Sequence, residues 1–356
     1  MSEMVEDNRD AQLLSGHPKI ATQKEDQIDE LEDDVVDDEA TDPTCVLCHR
    51  MGKNITIVTV FFLVGFQASK SLGTLLFYVF LVVYCGTICG NLLIITLVST
   101  SRNLHTPMYF FISQLAIGDI LLTTNIVPKM LQLILYSGWT ITFIGCITQL
   151  YMFCSSEAFE CLLLAVMSYD RYVAICNPLR YASIMTKTFC MKLAFISWSF
   201  GFSISVPTTV VTALLTFCGP NIIDHFYCDM NPLLNIACSD TIIVYLEITL
   251  LGVPTIVIPT IIIIASYTKI IVAILRMPSN TGRQKAFSTC SSHLTVVSIF
   301  YWTMFSVYVF PTKGQPSAIS KMISLLYTVF TPFINPIIYS FKNKKISKAV
   351  KKIIFM

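Results

Sequence analysis

Met167-Ser168-Tyr169-Asp170-Arg171-Tyr172-Val173-Ala174-Ile175-Cys176-Asn177-Pro178-Leu179-Arg180-Tyr181 is the stretch on which the reading of the chain turns. An apolar, helix-like run from Leu162 to Met167 ends here in an acid, a permanent cation and a phenol. Arg171 falls where hydrocarbon gives way to water, its stem free to snorkel, and Asp170 beside it can hold its charge. Positive charge at the end of a membrane span is common, so the pair by itself marks a span boundary.

Composition agrees. Of 356 residues, 54% are apolar and 13% charged, whereas soluble domains carry about 25% charged residues. The net charge of +1 hides an asymmetry. Residues 1–50 hold 15 of the 23 acids and four basic residues (Arg9, Lys19, Lys24, Arg50), so the remaining body is strongly cationic, as suits anionic lipid headgroups. Several of the 13 cysteines (Cys85, Cys89, Cys154, Cys161) lie inside apolar runs and read as small buried hydrophobes.

The acidic segment 1–50, densest from Glu25 to Glu39, reads as a disordered extension. No signal peptide is visible in it. Cys45-Val46-Leu47-Cys48-His49 matches a haem-attachment spacing, but no foldable surroundings accompany it and no cofactor is expected. Met51 reads as a second beginning. Asn54-Ile55-Thr56 is a glycosylation sequon that suits a lumenal segment, 51–73, ahead of the first span.

Seven apolar runs follow near 74–99, 108–130, 146–169, 191–214, 242–266, 287–311 and 319–341, each close to the ~18–20 residues that cross hydrocarbon. They do not alternate as barrel strands do, so they are helices. One set of connections carries Arg102, Arg180, Lys187, Lys192, Lys269, Arg276, Arg283, Lys285 and six lysines from Lys342 to Lys352; the other carries Lys53, Lys70, Lys129, Lys313 and Lys321. The first set is therefore expected inside the cell and the N-terminus outside. In 342–356, Ile346, Ala349, Val350 and Ile353 recur at helical spacing among lysines, predicting an amphipathic helix on the inner leaflet, a contact with membrane lipid.

Polar residues inside spans are costly and need partners. Asn91 lies in the first span, Asp119 in the second, Glu157 and Glu160 in the third, and Asn335 beside Pro336 in the seventh, where the proline frees a carbonyl. Cys146, Cys218, Cys228 and Cys238 lie near the non-cytoplasmic ends; four cysteines permit three pairings, and spacing does not choose. No nucleophile–base or metal constellation appears in the spans, so an enzyme is not expected. Neither internal repeats nor pore-lining charge of a transporter or channel is visible.

The opening stretch, in the form MxYDRYVAICxPLxY, resembles the end of the third helix of rhodopsin-like receptors, and in this wording the odorant (olfactory) receptors. Three further motifs point the same way. Leu104 to Asp119 resembles LHTPMYxFLxxLxxxD, Lys285 to Leu294 resembles KAFSTCxSHL, and Pro332 to Ser340 contains NPxxY. The resemblance covers about residues 51–354. It implies a seven-transmembrane helix bundle over 74–341, an odorant as ligand, a stimulatory olfactory G protein and cyclic AMP as output. It implies disulfides Cys146–Cys228 and Cys218–Cys238, which removes Cys228 from any metal set with His225 and Asp229. It implies a switch comprising Asp170, Arg171, Tyr172, Tyr267, His293, Asn335, Pro336 and Tyr339, and a polar seam of Asn91, Asp119 and Glu160. No nucleic-acid partner is expected. A rhodopsin-like receptor for an amine or a peptide is the alternative.

An agonist is expected between spans three, five, six and seven. Phe153, Cys154, Glu157 and Ala158 share a face of span three at i, i+1, i+4 and i+5. Ile248, Leu251 and Thr255 are placed to line span five, Tyr301, Met304, Phe305 and Tyr308 span six, and Leu325 and Thr328 span seven. Trp302 should face elsewhere. Glu157 belongs to no motif and has no Lys or Arg at its depth. It is either protonated and bonded to a hydroxyl such as Thr255, or met by a basic ligand.

Overall fold

The computed structural model describes residues 58–309 and 317–354. Segment 1–50, its haem-like pattern and the Asn54 sequon lie outside the described residues, as does the Tyr308 side chain. Seven long helices follow in order: α1 (Lys70–Thr100), α2 (Pro107–Tyr136), α3 (Phe143–Cys176), α4 (Lys187–Ala213), α5 (Ile242–Leu275), α6 (Asn280–Val309) and α7, continuous through Ser317–Leu325, Leu326–Phe330 and Thr331–Lys342. α8 (Lys344–Ile354) follows. Among the described residues six of these helices are long and apolar enough to cross a membrane. α6 is diluted by its polar first half, from Asn280 to His293. The helices overrun the expected spans because hydropathy marks only the hydrocarbon-facing part, while backbone hydrogen bonding continues into the interface. The third runs from Phe143 rather than 146 to Cys176 rather than 169.

Caps fix the starts. Pro107 opens α2 where a missing N–H costs least. Thr142 Oγ1 accepts from the Gly145 N–H at 3.1 Å to begin α3, and Thr186 Oγ1 from Phe189 at 3.3 Å to begin α4. π-turns interrupt α5 at Ile248–Gly252 and α7 at Leu326–Phe330, re-aiming the side chains around them.

α3 is the centre of the bundle: 72% of its apolar window is buried, against 11% for α5, which faces outward. Phe159 of α3 stacks on Trp198 of α4 at 3.7 Å between ring centroids. Gly201 permits that approach, since a Cβ there would lie 2.6 Å from the Ser155 carbonyl oxygen.

A small sheet, which the sequence reading did not place, caps one end. β1 (Val60–Leu63) pairs antiparallel with β2 (Trp139–Thr142) and parallel with β3 (Ile222–Ile223), Phe61 opposite Ile141 and Leu63 opposite Ile223. Phe61 and Leu63 are buried while Val60 and Phe62 are exposed, the period of two that a half-buried strand requires. Beneath the sheet the Cys146–Cys228 disulfide ties the long β3–α5 loop to the first turn of α3; Cys218–Cys238 closes that loop on itself. Lys321 of α7 adds a clasp: its Nζ donates to the Gly65 carbonyl at 2.8 Å and to Asp224 Oδ1 at 2.5 Å. At the opposite, basic end, Asn343 Oδ1 accepts from the Tyr109 hydroxyl at 3.0 Å and from the Lys345 N–H at 3.1 Å, setting the corner between α7 and α8.

Candidate functional site

At the basic end Asp170 is fully buried and Arg171 nearly so. Arg171 donates to Asp170 Oδ2 through Nε at 2.9 Å and also through Nη2, and the Tyr181 hydroxyl donates to Asp170 Oδ1 at 2.9 Å. A guanidinium and a phenol thus saturate one carboxylate, a charge-assisted arrangement stronger than a neutral bond. Burial first, then the Asp170 charge, raises the Tyr181 phenol above its ordinary range. Tyr181 stands in the opening stretch, yet its part in this cluster was not foreseen. The Lys269 ammonium lies 5.4 Å from the centre of the Tyr172 ring. The Tyr267 hydroxyl lies 2.6 Å from His293 Nδ1. A cavity of about 730 Å³ opens here, lined by Tyr109, Arg171, Ser292, Tyr339, Lys342 and Lys345 among others.

The middle of the bundle holds a buried polar seam. Asn335 Nδ2 sits 3.1 Å from each oxygen of Asp119. Asn91 does not reach Asp119. Its Nδ2 donates to the Thr87 carbonyl at 3.0 Å and to the Pro332 carbonyl at 3.2 Å. Pro336 explains the second bond: it has no N–H to offer the carbonyl four residues earlier, which is that of Pro332. A side chain from α1 replaces the donor that the helix lost. Glu160 is buried near enough to Asp119 to feel its charge, and Tyr339 lies in the same field.

Toward the capped end is a cavity of about 300 Å³. Of the expected lining, Phe153, Cys154, Glu157, Ala158, Ile248, Thr255 and Met304 do face it. The others do not. Phe305 is 58% exposed on the outer surface with Trp302, because adjacent residues on a helix point about 100° apart and Met304 takes the inward direction. Tyr301 lies behind Cys161, Leu325 packs in the core, and the Thr328 hydroxyl is turned back onto the Ser324 carbonyl at 2.8 Å. Leu251, half-buried, is not among the lining residues.

Sequence reasoning missed three sources of lining: α4 (Ile204, Ser205, Thr208), the loop (Tyr227, Asp229, Met230) and Tyr327 of α7. The signals were a hydroxyl pair at i, i+3 in span four and the acid beside Cys228, which the disulfide carries to the mouth of α3. Thr255 is not the partner of Glu157, since its hydroxyl donates to the Leu251 carbonyl at 2.7 Å. The Tyr327 phenol is the hydroxyl that acts on Glu157, at a range that polarises it without closing a hydrogen bond of normal geometry. In the loop, burial raises the Asp229 carboxyl above its ordinary value, while its side chain accepts from the Met230 N–H at 2.8 Å. Burial also pushes His225 down to about 3.

A seven-helix membrane bundle with a cavity near one end, a polar seam and an Arg–Asp–Tyr cluster at the other is the architecture of a transmembrane receptor. A family model described as olfactory receptor matches residues 80–356. The chain is 45% identical over 302 residues to the human protein Olfactory receptor 10A7, covering 85% of this chain and 96% of that one. It is 44% identical to human Olfactory receptor 11L1 (85% and 94%) and 45% identical to mouse Olfactory receptor 5AP2 (85% and 95%). The chain belongs to the olfactory receptor family and is a multi-pass protein of the plasma membrane.

Proposed function

We propose that this odorant receptor lies with its capped end and N-terminal segment outside the cell, takes its odorant into the 300 Å³ cavity and couples at the Arg171 end to a stimulatory heterotrimeric G protein, raising cyclic AMP. One observation carries the reading: a single helix, α3, supplies Glu157 to the cavity, Glu160 to the seam and Asp170 with Arg171 to the basic end. A ligand that fits the cavity better in one arrangement of α3 and its neighbours shifts the population of states, and only that difference in affinity does work. In the state described, Arg171 is held by Asp170; releasing it turns a cation into the 730 Å³ cavity, where a G-protein segment docks. α8, with Ile346 buried and Lys345, Lys348 and Lys351 exposed, lies on the anionic inner leaflet.

The test is Arg171→Ala measured beside wild type across an odorant panel. The variant is expected at the cell surface yet silent in cyclic AMP. Normal signalling at equal surface expression would remove Arg171 from coupling.

A further inference from the structure

We propose that the cavity near the capped end is built for an organic cation, a small primary amine whose ammonium sits between Glu157 of α3 and Asp229 of the β3–α5 loop. The proposal rests on the reading of this cavity as the odorant site and names its ligand class. Two carboxylates line the cavity, and no Lys, Arg or His does among the described residues. Each is a close like-charged neighbour of the other: Asp229 is the charged group that acts most strongly on Glu157, ahead of Glu160. Carboxylates out of water without a cation are costly, and like charges across a low-dielectric void repel. Inside the protein the remedies are partial: the Tyr327 phenol acts on Glu157 and the Tyr227 phenol on Asp229, and neither brings a positive charge. The Thr255 hydroxyl is committed to Leu251, and Lys321 is held away by Gly65 and Asp224.

Tyr327 supplies an independent sign of a missing partner. It lines the cavity, is only 2% exposed, and its hydroxyl has no hydrogen-bond partner of good geometry. A primary ammonium carries three N–H donors in a compact point charge. Glu157, Asp229 and Tyr327 offer three acceptors, two of them anionic. Asp229 is preset for this role, since the Met230 N–H fixes one of its oxygens. Elsewhere the lining, with Phe153, Ile248, Ile256 and Met304, is apolar and receives a hydrocarbon tail. A void of about 300 Å³ corresponds to about ten waters' share of liquid volume. That is the size of an arylethylamine or a six-carbon alkylamine.

The test uses the full-length receptor with 2-phenylethylamine and n-hexylamine, each against the alcohol of the same skeleton, 2-phenylethanol and 1-hexanol. Cyclic AMP in cells and melting of the purified receptor are read in parallel. On wild type each amine should act at a concentration at least tenfold below its alcohol and raise the melting midpoint more. In Glu157→Gln the amine-to-alcohol potency ratio should fall at least tenfold. Alcohols as effective as amines on wild type, or a ratio unchanged in Glu157→Gln, would overturn the proposal while leaving the odorant-receptor reading intact. Melting unmoved by all four compounds would overturn it as well. Amines that stabilise the purified receptor without raising cyclic AMP would uphold the ligand class and count against the coupling proposed above. If Glu157→Gln fails to reach the surface, the amine–alcohol comparison on wild type decides.

Discussion

Asn91 should be worth much more to this receptor when residue 336 is proline than when it is not. In the structure the Asn91 amide stands in for the N–H that Pro336 lacks, donating to the Pro332 carbonyl at 3.2 Å in the buried contact between α1 and α7. Asn91→Ala leaves that carbonyl without a donor. A buried unsatisfied carbonyl costs about 1–3 kcal/mol, and side-chain hydrogen bonds measured inside membranes average about 0.6 and reach about 1.7 kcal/mol. A loss of about 1–2 kcal/mol is therefore expected, or roughly 2–4 °C in the melting midpoint. Pro336→Ala restores a backbone N–H to the same carbonyl. In that background Asn91→Ala should cost about 1 kcal/mol less. The bond from Asn91 to the Thr87 carbonyl is lost in both backgrounds and cancels from the cycle. The assay is thermal unfolding of the four purified variants at one scan rate. Losses that add to within ~0.5 kcal/mol would refute the substitution of a side-chain donor for a helical one.

Two further predictions concern the ends of the bundle. Tyr181→Phe removes one of the donors that hold Asp170, at 2.9 Å; at about 1 kcal/mol for such a bond, basal cyclic AMP should rise roughly fivefold at equal surface expression, and an unchanged basal level would exclude Tyr181 from the lock. His225 titrates near 3 in the folded loop because burial disfavours its charged form, against 6.5 when exposed. Between those values the unfolded chain binds the extra proton, so stability falls as pH drops below about 6.5, by about 2 kcal/mol at pH 5, and is unaffected above pH 7. His225→Phe should flatten this part of the melting-versus-pH curve, and an equal slope in the variant would contradict the assignment.

The bundle was legible because crossing a membrane demands long apolar helices, and seven runs satisfied that demand. The Asp170–Arg171 pair was legible, and so was the need of Asp119 and Asn335 for partners, because polar groups so placed are costly alone; the structure shows that the two meet each other. The sheet was not: Val60 to Leu63 is four residues long and its partners are β2 and the two residues Ile222–Ile223, too short for periodicity to register. Asn91 was legible only as a member of the seam; that its amide meets the carbonyl left open by Pro336 depends on how α1 packs against α7, which spacing along the chain does not give. Most of the cavity lining was missed for a related reason. Residues 218–238 carry no helical period, so nothing in their spacing says that Asp229 and Tyr227 fold over α3. Phe305 was misplaced because a one-residue rotation, trivial in the sequence, separates Met304 in the core from a ring at the outer surface.

The central claim, that a small molecule inside the 300 Å³ cavity drives the receptor, is tested most directly by filling that cavity. Ala158 is buried on its wall, 5% exposed, and points at the space the ligand needs. Ala158→Phe places a ring there while Arg171, Asp170 and Tyr181 at the far end remain as they are. Concentration–response curves for an activating odorant, read as cyclic AMP at matched surface expression, should shift at least tenfold to higher concentration in Ala158→Phe, with basal signalling retained. Curves that superimpose on wild type would place the ligand elsewhere and contradict the account.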